Sequence, residues 1–145
     1  MKAAVAYMRG GVVYFSPSSR TSAGAWIETA PVLKVEVQSP HSAKGEAVAA
    51  VLNASRDPVP HPTDFAGLVA PLLELSGAKS YAAFAKNARC VRVEVREGRM
   101  RLIPYRNLGS KEGFEEAFGE DVEIPFPSSP DRVGLALEEA MARCR

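Results

Sequence analysis

The sequence predicts an α+β fold of antiparallel strands and a few helices, as one domain over residues 1–145. Short runs in which apolar and polar residues alternate indicate half-buried strands. Glycine-containing dipeptides between these runs indicate tight turns. Two Ser-Pro dipeptides each precede a stretch with helical periodicity. With 46% hydrophobic residues, a chain of this length can bury a core of its own.

The first part of the chain predicts four strands and one helix. The strands are expected at residues 3–8, 12–16, 25–28 and 32–37. Gly10 and Gly11 supply the positive φ angles that a tight hairpin needs between the first two strands. Ser39 and Pro40 then open a helix, with Ser39 as its cap and Pro40 in its first turn.

The middle of the chain predicts a loop followed by a helical insert. Residues 53–62 contain three prolines, which exclude a continuous helix or a central strand. Residues 63–86 have helical periodicity, with a break or kink expected at Pro71 because proline cannot donate a helical hydrogen bond. Gly77 ends the first helical stretch, and Ser80 begins one more short turn.

The last part of the chain predicts a hairpin, a further strand and a final helix. The strands are expected at residues 91–95, 99–104 and 122–126. Glu97 and Gly98 form the turn between the first two. Ser129 caps the final helix, on which Glu139 lies four residues before Arg143, a spacing suited to an ion pair.

The two ends of the chain resemble each other. Residues 1–53 and 89–145 each predict a ββββα unit, with Trp26 and Phe114 at corresponding places and the insert 63–86 between the units. Duplication of one unit is the simplest explanation. The alternative is coincidence, because Ser-Pro before a helix is common.

This repeat predicts how the elements pack. Two antiparallel sheets, one from each unit, are expected to pack face to face with helices against them. Gly45 and Gly134 lie in corresponding helices, where glycine permits close approach of a helix to a sheet.

Composition and motifs argue against several classes of function. The formal net charge of +1 does not indicate a generally polybasic or polyacidic binder. Cys90 and Cys144 are expected to be reduced thiols. The histidines, His41 and His61, have no nucleophile motif or metal-ligand spacing beside them, although His61 precedes Asp64 by three residues. The sequence therefore predicts a protein that is not an enzyme and has no metal or cofactor.

The N-terminal apolar run is only five or six residues long. Such a run is too short for a signal-peptide core or a membrane span. A cytoplasmic location without membrane association is therefore expected.

Charge is locally concentrated. A basic run contains Lys86, Arg89, Arg92, Arg96, Arg99, Arg101 and Arg106. An acidic run contains Glu112, Glu115, Glu116, Glu120, Asp121 and Glu123. The acidic run would complement a cationic partner, and the basic run would suit nucleic acid, with Tyr105 available to stack on bases. Alternatively, both runs are solvated faces that partly neutralise each other.

Three phrases in the chain resemble a known family. They are Arg20-Thr-Ser-Ala-Gly-Ala-Trp26, Asn53-Ala-Ser-Arg-Asp-Pro-Val-Pro-His-Pro62 and Tyr105-Arg-Asn-Leu-Gly-Ser-Lys-Glu-Gly-Phe114. Together they are similar to the CdiI-type immunity proteins of bacterial contact-dependent growth inhibition (CDI), some of which look like the Whirly fold. The resemblance implies structural roles for Arg20, Gly24, Trp26, Arg56, His61, Tyr105, Asn107, Gly109, Gly113 and Phe114.

The resemblance also implies a function and a partner. A CdiI-type protein binds the toxic C-terminal domain of a cognate CdiA protein, and some of those toxins are similar to EndoU-type RNases. The acidic run is then the expected toxin-facing surface, covering the active site of a nuclease. The alternative is a Whirly-like protein that binds single-stranded nucleic acid through Arg92, Arg96, Arg99 and Arg101.

Overall fold

The computed structural model describes residues 1–109 and 111–145, so Ser110 of the third phrase lies outside the described residues. The strands are β1 (Lys2–Arg9), β2 (Val12–Arg20), β3 (Trp26–Glu28), β4 (Leu33–Glu36), β5 (Arg89–Arg96), β6 (Arg99–Asn107), β7 (Phe114–Glu116) and β8 (Val122–Pro125). The helices are α1 (His41–Asn53), a 3₁₀ helix (Ala66–Val69), α2 (Ala70–Ser76), α3 (Tyr81–Ala85) and α4 (Pro130–Ala142). This order confirms the α+β class.

Within the described residues, the strands form one antiparallel sheet of eight strands. Its order is β3-β2-β1-β5-β6-β7, with β4 also pairing with β2 and β8 also pairing with β6. The expectation of two sheets packed face to face is therefore wrong. The two units instead join edge to edge through β1 and β5, from Lys2 opposite Val95 to Met8 opposite Arg89. This pairing satisfies the backbone groups of two strands that separate sheets would leave as open edges.

Helices α1 and α4 cover one face of the sheet. Alternate residues of the central strands point towards them, as the period of two in a strand requires. The buried side chains at this contact include Phe15, Val48, Val51, Val91, Val93, Met100, Leu102 and Leu137. This larger core links both units of the predicted repeat.

The two helices cross at their glycines. A Cβ atom on Gly45 would lie 1.9 Å from the carbonyl oxygen of Pro130, and one on Gly134 would lie 1.9 Å from that of His41. The expected close approach of helix to sheet is thus a close approach of helix to helix. The two contacts are reciprocal, because each glycine meets the first residue of the other unit's helix. Duplication of one ancestral unit stays a prediction that this geometry supports.

The helical insert lies on the other face of the sheet. Leu72 of α2 and Phe84 of α3 are fully buried there against Tyr7 and Tyr14. The break expected at Pro71 is confirmed, because the 3₁₀ helix ends at Val69 and the proline lies in the first turn of α2. None of the helices in residues 1–109 and 111–145 is both long and apolar enough to span a membrane.

The two Ser-Pro dipeptides cap their helices differently. The Ser129 hydroxyl accepts a hydrogen bond from the backbone N–H of Arg132 at 3.2 Å, as expected. The cap position of α1 is Pro40, without a side-chain hydrogen bond, so the predicted Ser39 cap is wrong. The carbonyl of Ser39 instead accepts a hydrogen bond from buried Lys44 at 3.0 Å. A buried ammonium needs a hydrogen-bond acceptor, and the Ser39 carbonyl supplies one to Lys44.

Candidate functional site

Beyond the insert, the second half of the sheet leaves a charged surface without a covering helix. Residues of β5, β6 and β8 that alternate with the core positions point outwards here. A shallow groove on this surface is lined by Met1, Glu94, Arg96, Glu97, Arg99, Arg101 and Glu123. The register of β5 and β6 places the four arginines proposed for nucleic-acid binding on one face of the hairpin, and all of them except Arg92 line the groove.

Arg92 is held by its neighbours. Its Nε atom lies 2.9 Å from a carboxylate oxygen of Glu94, and Nη1 donates to the hydroxyl of Ser18 at 3.1 Å. Its guanidinium carbon lies 5.3 Å from the ring centroid of Trp26, within the range of a cation–π contact. Only 15% of the Arg92 side chain is exposed. This arginine braces strands β2, β3 and β5.

Arg101 is also engaged with carboxylates. It lies 2.6 Å from Asp121 and 3.6 Å from Glu94. The hydrogen bond to Asp121 raises the pKa of the Arg101 guanidinium. Arg99 lies farther from its partner, at 4.0 Å from Glu123, and Arg96 contacts the sulfur of Met1 at 3.4 Å. Arg92 and Arg101 thus already donate hydrogen bonds to carboxylates, and a phosphate could bind them only by displacing those carboxylates.

The acidic run lies along the neighbouring edge of the sheet. Glu115 pairs with Arg106 of the basic run at 3.9 Å, so the two runs partly neutralise each other in the fold. Glu120 pairs with the C-terminal Arg145 at 3.6 Å. Both pairs are exposed, and such pairs contribute only about 0–1 kcal/mol each. In the described chain, Glu112 and Glu116 form no ion pair.

The first two phrases meet at one end of β2. The backbone N–H of Arg20 donates to the carbonyl of Arg56 at 2.9 Å, which attaches the proline loop to the strand. The His61 ring is hydrogen bonded to the hydroxyl of Thr21 at 2.9 Å. Gly24 has a φ of 90°, and a Cβ added there would lie 3.5 Å from the Arg20 guanidinium. Structural roles for these phrase residues stay predictions that the contacts support.

The third phrase shapes the loop between β6 and β7. The side-chain amide of Asn107 donates to the carbonyls of Ala85 at 2.8 Å and Ala88 at 2.9 Å, joining the loop to the insert. The N–H of Gly113 donates to Gly109 at 2.9 Å, with φ positive at both glycines. Tyr105 and Phe114 pack at the edge of the insert's core, where burial and, to a smaller extent, the charge of Glu116 raise the pKa of Tyr105 to about 12.

His41 forms a pair that the sequence does not reveal. Its Nδ1 atom contacts the carboxylate of Glu138, and the buried Lys44 ammonium lies 3.6 Å from the same side chain. These contacts join α1 to α4. Within residues 1–109 and 111–145, no three histidine, cysteine or acidic residues are grouped so that they could hold a metal ion.

A cluster of polar groups under the insert was not predicted. The Tyr7 hydroxyl donates to the Glu28 carboxylate at 2.6 Å and lies 3.1 Å from the Tyr81 hydroxyl. Burial raises the pKa of Glu28, opposed in part by the hydrogen bond from Tyr7. Burial and the charge of Glu28 likewise raise the pKa of Tyr7. No sequence signal joins these residues, because their contact depends on the order of strands in the sheet and on the docking of α3.

Replacing Glu28 with glutamine is expected to remove a pH-dependent loss of stability. Because the folded-state pKa is raised, Glu28 contributes stability below its unfolded pKa of about 4.3 and loses that contribution as pH rises through the folded value. Glutamine stays neutral and can still accept from Tyr7. The Tm of Glu28→Gln relative to wild type should therefore increase between about pH 4 and pH 8.

Thermal unfolding followed by circular dichroism across this range is the measurement. The exposed residue Glu36, replaced in the same way, is the matched control. A Tm difference that does not change with pH for Glu28→Gln would contradict the assigned environment.

This chain is similar to known proteins in its sequence pattern and in its fold. A family model described as CdiI, CDI immunity protein, matches residues 36–144. Among curated proteins, none matches the sequence significantly. The fold is similar to the protein of unknown function NMB0488 from Neisseria meningitidis, with a TM-score of 0.83, 19% identity, and coverage of 99% of this chain and 95% of that chain.

A second similar structure is a chain of the CdiA-CT/CdiI toxin and immunity complex from Yersinia pseudotuberculosis. Its TM-score is 0.78 at 18% identity, with 99% of this chain and 97% of that chain covered. The family model covers most of the chain, including both α1 and α4 and the central strands β5 and β6. This protein therefore belongs to the CDI immunity protein family.

Proposed function

We propose that this protein binds and neutralises the toxic C-terminal domain of a cognate CdiA protein. The observation that carries the proposal is the family match over residues 36–144. The likeness of the whole fold to a chain from a toxin and immunity complex is consistent with it. The protein acts as a non-enzymatic inhibitor, and it acts in the cytoplasm, where an intracellular toxin must be stopped.

The proposed toxin is a nuclease, of which an EndoU-like RNase is one candidate class. A nuclease needs a cationic cleft for its polyanionic substrate. The acidic edge, which we define as Glu112, Glu115, Glu116, Glu120, Asp121 and Glu123, suits such a cleft. Glu112 is exposed, and the pairs of Glu115 and Glu120 with arginines are exposed enough to rearrange. Occlusion of the active site by this edge is the proposed mechanism.

Calorimetric titration into the CdiA C-terminal domain encoded with this protein, paired with growth rescue, tests the proposal. We expect 1:1 binding with a Kd of about 1 nM or below, together with rescue of cells that produce the toxin. Absence of both binding and rescue would show that the protein has a different partner.

Charge reversal of the acidic edge is expected to slow association with the toxin. In the triple variant Glu115→Lys, Glu116→Lys and Glu120→Lys, the association rate constant should fall about 10-fold or more at low salt, with a smaller change in dissociation. Stopped-flow mixing at several salt concentrations measures both rates, and the difference should shrink as salt is raised.

A matched control reverses three exposed acids elsewhere. Glu36, Glu46 and Glu74 are exposed residues on β4, α1 and α2, and their change to lysine alters net charge by the same amount. An equal loss of association rate in both triple variants would assign the effect to overall charge rather than to the acidic edge.

The second candidate function is binding of single-stranded nucleic acid. The observation in its favour is that Arg96 and Arg99 face one groove, where the carboxylate of Glu123 lies 4.0 Å from Arg99. The engagement of Arg92 and Arg101 with carboxylates weighs against it. Binding to labelled single-stranded oligonucleotides with strong salt dependence, and without toxin binding, would favour this alternative.

A further inference from the structure

Phe118 is an aromatic side chain that belongs to neither of the two apolar cores formed by the described residues. It exposes 83% of its surface, more than the other exposed large apolar side chains of the described residues. It lies in the turn between β7 and β8. A phenylalanine in water forgoes the burial that normally stabilises it, so a partner that covers the ring would gain the free energy of that burial.

The turn that carries Phe118 is fastened on both sides. On one side, the backbone N–H of buried Ala117 donates to the carbonyl of Pro104 on β6 at 3.0 Å. On the other side, the Arg143 guanidinium donates to the carbonyls of Glu120 at 3.0 Å and Asp121 at 3.2 Å. The exposed ring therefore stands on a backbone whose conformation is already restrained. Binding of a partner to the ring would therefore cost little conformational entropy, because the turn is already ordered.

Acidic residues flank Phe118 in the sequence. Glu115 and Glu116 precede it on β7, and Glu120 follows it by two residues. An exposed aromatic ring bordered by charged side chains is the usual composition of an interface hot spot with its polar rim. The complementary surface has an apolar slot for the ring, with lysine or arginine side chains around it.

We propose that Phe118 is the anchor residue of the toxin interface, inserting into an apolar slot within a cationic surface of the CdiA C-terminal domain. The inference rests on the proposed function for the identity of the partner. The two parts of the interface then affect different rate constants. The carboxylates speed association, and the buried ring slows dissociation.

The test compares the binding kinetics of Phe118→Ala with those of wild type on the immobilised CdiA C-terminal domain. We expect a Kd at least about 30-fold weaker, mostly through faster dissociation. Phe118→Leu, which keeps an apolar side chain, should recover most of the affinity. Phe65→Ala removes a phenylalanine that is 52% exposed in the insert region, and it should bind like wild type.

The outcomes separate the anchor from the proposed function. Tm values should agree between Phe118→Ala and wild type, since the ring is exposed. If wild type binds tightly and Phe118→Ala binds within about threefold of it, the anchor is wrong and the immunity function stands. If wild type does not bind, the proposed function fails, and the anchor fails with it.

Discussion

Replacing Gly134 with alanine is expected to lower the free energy of unfolding by about 3 kcal/mol, the upper end of the usual range for overpacking. The added Cβ would lie 1.9 Å from the carbonyl oxygen of His41, and a backbone atom cannot rotate away as a side chain can. Alanine favours a helix by about 1 kcal/mol over glycine, which offsets only part of the clash. Gly45→Ala, against Pro130, should have a similar effect.

Thermal and denaturant unfolding measure the loss, which corresponds to about 6–12 °C in Tm for a chain of this size. Gly67→Ala is the matched control. Gly67 is exposed, lies in the 3₁₀ helix, and has no atom within 4 Å of an added Cβ. The control should be as stable as wild type or slightly more so. Equal stability of Gly134→Ala and Gly67→Ala would mean that α1 and α4 do not cross in contact.

Replacing Phe84 with alanine is expected to cost about 3–5 kcal/mol of stability, as is usual for truncation of a buried phenylalanine. Its ring is fully buried and lies 5.3 Å from the ring centroid of Tyr7 and 5.5 Å from that of Tyr14. The Arg9 guanidinium lies 5.3 Å from the same ring. Phe84 therefore links the insert to strands β1 and β2 of the sheet.

Hydrogen exchange should locate this loss. In Phe84→Ala, the amides of α2 and α3 should lose protection more than those of α1 and α4, which pack on the opposite face. Phe65→Ala, at a half-exposed phenylalanine of the same region, should cost less than about 1 kcal/mol. Uniform loss of protection over the whole chain would instead show that the two cores unfold as one unit.

Elements that depend on local chemistry could be predicted from the sequence. The hairpin between β1 and β2 turns at Gly10 and Gly11, with φ of 59° and 79°, because only glycine adopts these angles at little cost. The alternation of valine with charged residues predicted β5. The helical break at Pro71 was predicted for an equally local reason, the missing backbone N–H of proline.

Contacts between distant segments were harder to predict. The pairing of β1 with β5 joins residues about ninety positions apart, and a strand pattern shows which face is buried but not which strand lies beside it. The ion pair of Arg101 with Asp121 likewise depends on the pairing of β6 with β8, which the strand patterns do not show. The proposed site divides in the same way: runs of charge are visible in the sequence, whereas the exposure of Phe118 on a fastened turn is visible only in three dimensions.

The α+β class, most element positions and a family resemblance follow from the sequence, because they depend on local periodicity, turn chemistry and short phrases. Three features are visible only in the folded chain: the two units share one sheet, α1 and α4 cross at two glycines, and Glu28 meets Tyr7 and Tyr81 beneath the insert. These features depend on the mutual burial of surfaces from distant parts of the chain. Burial of apolar surface is non-directional, so it leaves no local pattern that names the partner.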